Sequence, residues 1–213
     1  MKVELLYNTP LWVCSTAIRK CWASEDKSDT ELCYGGDWIT GTKDKELIHR
    51  VGNKNKHSST LEHLVYTFDI DGISRACLQE LARHRHASMS VKSTRYTLKE
   101  LRDAPQDGTV DFRKFVVMTT DSKTNEHILK SLSYLKENLE NNTSNDISKY
   151  MLPEAYKTSL VWTVNARSLQ NFLQLRTNPS ALWEIRDLAN ELFNKLPDEH
   201  KYLFEEYVYE GSK

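Results

Sequence analysis

The chain has 213 residues, enough for one domain or two small ones. Apolar residues make up 39% and charged residues 28%, with 7 Gly and 5 Pro, a composition that excludes collagen-like, low-complexity and disordered classes. Lys and Arg number 29 against 30 Asp and Glu, and the net charge of −1 argues against a general nucleic-acid coat or a membrane-surface protein while leaving room for a local basic site.

No apolar run approaches the ~18 residues that span a bilayer. No long apolar region follows Met1, so no secretory leader is expected and the expected location is the cytoplasm. Cys14, Cys21, Cys33 and Cys77 form no CxxC pair, and reduced thiols are expected.

Lys2 to Tyr7 is predicted as a strand. Thr9-Pro10 reads as a hydroxyl N-cap before a proline at the first helical position, and Leu11, Cys14, Ala17, Ile18 and Cys21 share one helical stripe after it. Residues 24 to 44 read as a polar loop, Asp44 to Val51 as a short helix and Gly52 to Thr60 as a second loop. Leu64 to Ile70 alternates like a half-buried strand, and Asp71-Gly72 is expected to end it. A helix is predicted from Ile73 to about Arg85, and a strand over Phe112 to Met118. Ser122 to Leu139 carries Ile128, Leu129, Leu132, Leu135 and Leu139 at helical spacing, a stripe suited to a core or a subunit seam. Thr158 to Val164 reads as a strand, and Asn165 as the N-cap of a helix ending near Arg176. Asn178-Pro179 repeats the cap-then-proline signal before Leu182, Ile185, Leu188, Ala189, Leu192, Phe193 and Leu196. The expected class is α+β: one domain over 1–213, with a mixed or antiparallel sheet packed by long helices.

Residues 81 to 99 contain no acid. Arg83, Arg85, Lys92, Arg95 and Lys99 lie there with His84, His86, Ser88, Ser90, Ser93 and Thr94. The plain reading is a solvated helix end, since cations favour helix C-termini. The functional reading is an anion site, with arginine forks for phosphate and hydroxyls as neutral donors. On a helix Arg83 and Arg85 stand about 200° apart, so two ligands, or a ligand and a second subunit, suit them better than one phosphate. His84 and His86 lack the further clustered groups that a zinc site needs, and no metal is expected. A non-catalytic RNA- or nucleotide-binding module using 83 to 95 with Tyr96 is the alternative.

Arg83-His84-Arg85, seven residues and then Ser93 resemble the RHRx7S signature of the flavin-dependent thymidylate synthases, and Arg95-Tyr96 also fits. The run from Trp162 to Arg176, WTVNARSLQNFLQLR, looks like that family's second block, and His57 to His63, HSSTLEH, resembles its N-terminal block. The blocks stand in the family's order, and the likeness extends from about 45 to 190.

The resemblance implies reductive methylation of dUMP to dTMP by a methyltransferase, with methylenetetrahydrofolate as carbon donor and NADPH as reductant through FAD. It implies a homotetramer with active sites at subunit junctions. It assigns FAD contacts to His57, Ser59, Arg83, His84, Arg85, Asn165, Arg167 and Asn171. It assigns dUMP contacts to Glu80, Arg83, Val91, Lys92, Ser93, Thr94, Arg95, Lys149 and Arg176, with Arg95 on the phosphate. Arg176 matches the catalytic arginine that assists ionisation at uracil N3. Three positions depart from the family pattern. Glu80, with Gln79 beside it, replaces a common glutamine that can donate where a carboxylate cannot. Val91 replaces a glutamate, so any role there falls to the backbone. Lys149 replaces an arginine and loses its fork. No cysteine lies in a matched block. Ser93 has no evident His-Asp partner, so a binding role suits it better than a nucleophilic one.

Overall fold

The structure, a computed structural model, describes residues 1–105 and 110–212. It opens with β1 (Lys2–Asn8), α1 (Leu11–Cys21), the hairpin β2 (Glu31–Leu32) and β3 (Trp38–Ile39), and α2 (Thr42–Ile48). A π-helical turn (His49–Lys54) and a 3-10 turn (Ser58–His63) lead into β4 (Val65–Ser74) and α3 (Arg75–Ala82). β5 (Ala87–Val91), α4 (Thr94–Thr97), α5 (Lys99–Arg102), α6 (Ser122–Glu140) and α7 (Asn145–Ser148) follow. β6 (Lys157–Asn165), α8 (Ala166–Arg176), α9 (Trp183–Asn194) and α10 (Asp198–Lys201) complete the order.

The class is α+β, with a four-stranded sheet ordered β1-β4-β6-β5 and the separate antiparallel hairpin β2-β3. Thr67 Oγ1 meets Thr163 Oγ1 at 3.0 Å, and Ser159 Oγ donates to Asp71 Oδ1 at 2.5 Å. These partners step in opposite directions, so β4 and β6 are antiparallel. The chain forms two compact units. The first holds residues 1–2, 70–83 and 90–160, and the second 3–69, 84–89 and 161–213.

The core of the first unit gathers Leu98, Leu101, Val116, Leu132, Leu135, Leu139 and Tyr156, with Ile128 and Leu129 packed against it. The leucine stripe of α6 is therefore core. Its helix starts where Asp121 accepts from Thr124 N at 2.7 Å. In the second unit, alternation on β4 buries Tyr66 and Phe68, and β6 buries Trp162. Ring centroids run 6.3 Å from Phe68 to Trp162 and 5.2 Å from Trp162 to Phe172 on α8. Each such buried aromatic contributes about 1.5–3 kcal/mol by leaving water.

Several local expectations are corrected. Thr9 does not cap α1. Its Oγ1 accepts from Val65 N at 3.1 Å and its own N–H donates to Val65 O at 2.9 Å, while Pro10 takes the cap position. Asp71-Gly72 does not end β4. Gly72 takes φ +78, a region open to glycine, and the strand continues to Ser74. α3 stops at Ala82, because residues 83–86 are needed to bring the chain to β5. Phe112–Phe115 form a 3-10 turn capped by Asp111, and of the expected strand Val116 makes an isolated bridge to Tyr156. Asn178 caps no helix. Its Oδ1 accepts from Ser180 N at 2.9 Å in a local turn, and α9 begins five residues later at Trp183.

The expected loop over 24–44 is held by a buried ion pair. Arg19 Nε donates to Asp44 Oδ1 at 2.6 Å, and Ser28 Oγ and Thr30 Oγ1 donate to Asp44 Oδ2 at 2.6 and 2.7 Å. Burial alone pushes the Asp44 carboxyl up, but the bonds from Ser28, Thr30 and Arg19 outweigh it and hold the carboxyl below its ordinary value. Among the described residues no helix is long and apolar enough to cross a membrane.

Candidate active site

The RHR segment lies in irregular backbone between α3 and β5, with Arg83 as the C-cap residue of α3. The separation of Arg83 and Arg85 expected from helical geometry therefore does not apply. Helix α3 itself is started by Ser74, whose hydroxyl accepts from Cys77 N at 2.9 Å.

In the second unit, α8 organises the site residues. Asn165 is its N-cap, accepting from Ser168 N at 2.9 Å, so the capping role expected for it is real. Four-residue spacing puts Arg167 and Asn171 on one exposed face, while Leu169, Phe172 and Leu173 are buried. Arg167 Nη1 donates to Glu62 Oε1 at 2.7 Å. Arg176 closes the helix, and its Nε donates to His84 Nε2 at 2.9 Å. The His84 ring stands edge-on to Phe172, centroids 4.9 Å apart at 76°.

His57 and Ser59 are exposed and line a cavity of about 320 Å³ with Ile18, Cys21, Trp22, Val51 and Thr60. That volume is at the low end of the roughly 300–1,000 Å³ usual for ligand sites. The segment is positioned by a close approach. A Cβ on Gly52 would lie 2.7 Å from Leu61 Cδ2, so any larger residue there would force the buried Leu61 side chain to shift. Thr60 Oγ1 donates to His57 O at 2.9 Å and locks the turn's entry.

In the first unit, the loop after β5 carries the remaining residues. Lys92 N donates to Ser159 O at 2.9 Å, and Lys92 Nζ donates to Glu100 Oε2 at 2.9 Å. Ser93 precedes α4 but its hydroxyl makes no capping bond. Val91 and Ser93 are exposed, and Thr94 is half-buried. Arg95 lies with its fork on Asp146, Nε to Oδ1 at 2.7 Å and Nη2 to Oδ2 at 3.1 Å. Asn145 Nδ2 donates to Arg95 O at 2.6 Å. These bonds pin α7 to α4, and Lys149 follows α7 directly. Arg83 Nη1 lies 3.4 Å from Glu80 Oε2, whereas Gln79 Nε2 donates to Glu154 Oε2 at 2.9 Å. Of the two neighbours, Glu80 is the one beside a site arginine.

The two residue sets thus separate by unit. Glu80, Arg83, Val91, Lys92, Ser93, Thr94, Arg95 and Lys149 belong to the first, and His57, Ser59, His84, Arg85, Asn165, Arg167, Asn171 and Arg176 to the second. No cysteine is disulfide-bonded. Burial pushes the Cys14 thiol up to about 12, which leaves it a poor nucleophile.

The family model for thymidylate synthase complementing protein matches residues 4–200. The chain belongs to this family. A Campylobacter jejuni flavin-dependent thymidylate synthase is 56% identical over 208 residues, covering 96% of each chain. A Wolinella succinogenes protein of the same name is 58% identical over 207 residues, covering 96% of this chain and 97% of its own. Two crystal structures of Helicobacter pylori thymidylate synthase X with FAD and dUMP are similar at TM-scores of 0.88 and 0.89. They are 49% identical to this chain, covering 98% of it and 99% and 100% of their own chains.

Four residues that touch the candidate positions have no assignment from the sequence: Phe172, Asp146, Asn145 and Glu62. Phe172 was open to inference, since it stands four residues before Arg176 on a predicted helix. The other three hold their arginines across 50 or more residues of chain, and no local spacing reveals those pairings.

Proposed function

We propose that this chain is a flavin-dependent thymidylate synthase, acting as one domain over 1–213. It methylates dUMP reductively to dTMP, with methylenetetrahydrofolate as carbon donor and NADPH as reductant. The observation that carries the reading is the near full-length identity of 49–58% to proteins of that name. The same relatives lend no support to the RNA- or nucleotide-binding alternative.

The residues present fit a flavin nucleotide. Ile18, Val51 and Trp22 give the cavity apolar walls for a ring system, and His57, Ser59 and Thr60 give it polar atoms. Arg83, His84, Arg85, Arg167, Asn165 and Asn171 supply the guanidinium, imidazole and amide donors that a diphosphate and a ring edge require. When bound, FAD would relay the reducing equivalents of NADPH to the reaction.

The chain's own residues do the rest. Arg95 takes the dUMP phosphate by leaving Asp146, an exposed pair worth only about 0–1 kcal/mol and so readily exchanged. Ser93 and Thr94 add hydroxyl donors, Lys92 and Lys149 add point charges, and Val91 contributes backbone. Glu80 holds Arg83. Arg176 places a permanent cation where negative charge develops on the uracil, which lowers the barrier without any proton transfer from the arginine. No thiol nucleophile is invoked. The working form is a homotetramer in the cytoplasm, with each site shared between subunits.

The purified protein should be yellow and should release tritium from C5-labelled dUMP only when the flavin is reduced. Colourless protein that gains no flavin spectrum on FAD addition would sink the proposal. Arg176→Ala should keep its flavin and lose turnover, and an unchanged kcat would remove Arg176 from the chemistry.

A further inference from the structure

We infer that His84 is a positioning residue that orients the Arg176 guanidinium, and this rests on the proposal that Arg176 faces the uracil. The Nε of Arg176 lies 2.9 Å from Nε2 of His84. A guanidinium is a donor only, so the imidazole nitrogen accepts. With Nε2 as the acceptor, the ring proton sits on Nδ1. Phe172 also restrains the ring, edge-on at 4.9 Å between centroids and itself fully buried.

Phe172 and Arg176 stand four residues apart on α8 and therefore face the same way. One imidazole bridges them, tying a long flexible cation at the helix end to an aromatic ring fixed in the core. The contact uses Nε, so the His84 ring sets the plane in which the Arg176 guanidinium lies. A cation that must meet charge as it develops gains most from being oriented beforehand, because small errors of placement are costly in rate. His84 acts here through Arg176, not on the substrate.

The test replaces His84 in the flavin-loaded enzyme and reads kcat per bound flavin. His84→Leu removes the acceptor and keeps bulk, and should reduce kcat by on the order of tenfold or more. His84→Gln sets an amide oxygen near the place of Nε2 and should restore most of that loss. Equal rates for the two variants, or a wild-type rate in His84→Leu, would overturn the inference. Nitrogen NMR of histidine-labelled wild-type holoenzyme gives an independent reading. The Nδ1–H tautomer at His84 is expected, and an Nε2–H tautomer would refute it even if the variants fail to fold. If the wild type makes no dTMP, the functional proposal fails, and the tautomer still decides the positioning contact.

Discussion

Acidification should destabilise this protein through His200. The residue is 0% exposed, its Nδ1 lies 2.8 Å from the Tyr66 hydroxyl, and its Nε2 has no hydrogen-bond partner. Burial pulls its pKa from 6.5 to about 4, against the opposing pull of Glu199, whose carboxylate stands 3.9 Å away. The folded state thus favours the neutral ring, and the unfolded chain binds the extra proton first. Stability is full above pH 6.5 and is lost as pH falls from 6.5 towards 4. At about 1.4 kcal/mol per pH unit, the developed loss is on the order of 3 kcal/mol, a large part of the usual 5–15 kcal/mol. Urea midpoints should be measured from pH 7.5 to 4.5 for the wild type and His200→Gln, which keeps an acceptor but cannot titrate. The variant should start less stable and show a flatter pH dependence, while the carboxylates common to both cancel in the difference. Parallel curves over that range would refute the argument that burial of a neutral His200 sets acid stability.

Three further outcomes follow from named contacts. Arg95→Ala should raise the dUMP KM strongly with flavin content unchanged. Asp146→Asn frees the same arginine from an exposed pair and should lower that KM by no more than about fivefold; opposite signs would remove Arg95 from the phosphate site. Asp44→Asn leaves Arg19 buried with a neutral partner and should lose about 3–5 kcal/mol, read as a fall in thermal midpoint that far exceeds that of Asp26→Asn on the exposed surface. Asn165→Ala removes the α8 cap and should lose about 1 kcal/mol; a fall in flavin content beyond that of Ser74→Ala, which uncaps α3, would separate its binding role from its capping one.

Much of the fold was legible because the rules involved are local. The alternation of Leu64 to Ile70, the stripe of α6 and the cap at Asn165 each depend on neighbours within a few residues, and all three appear in the structure. The same local logic failed where a distant group competed. Local preference puts Thr9 at a cap because serine and threonine favour that place, but Val65 gives its hydroxyl a different use. Asp71-Gly72 carries a local stop signal, yet Gly72 takes a positive φ and the strand runs on to Ser74.

The site divides in the same way. The residue types of the candidate site, and their order, are legible in the sequence: an acid-free run of cations and hydroxyls at 81–99, then Arg167, Asn171 and Arg176. What those cations touch was decided by tertiary structure. Arg95 rests on Asp146, Arg167 on Glu62 and Arg176 on His84, across 51, 105 and 92 residues. A hydrogen bond depends on distance in space and not along the chain, so its donors could be named from the sequence and its acceptors could not.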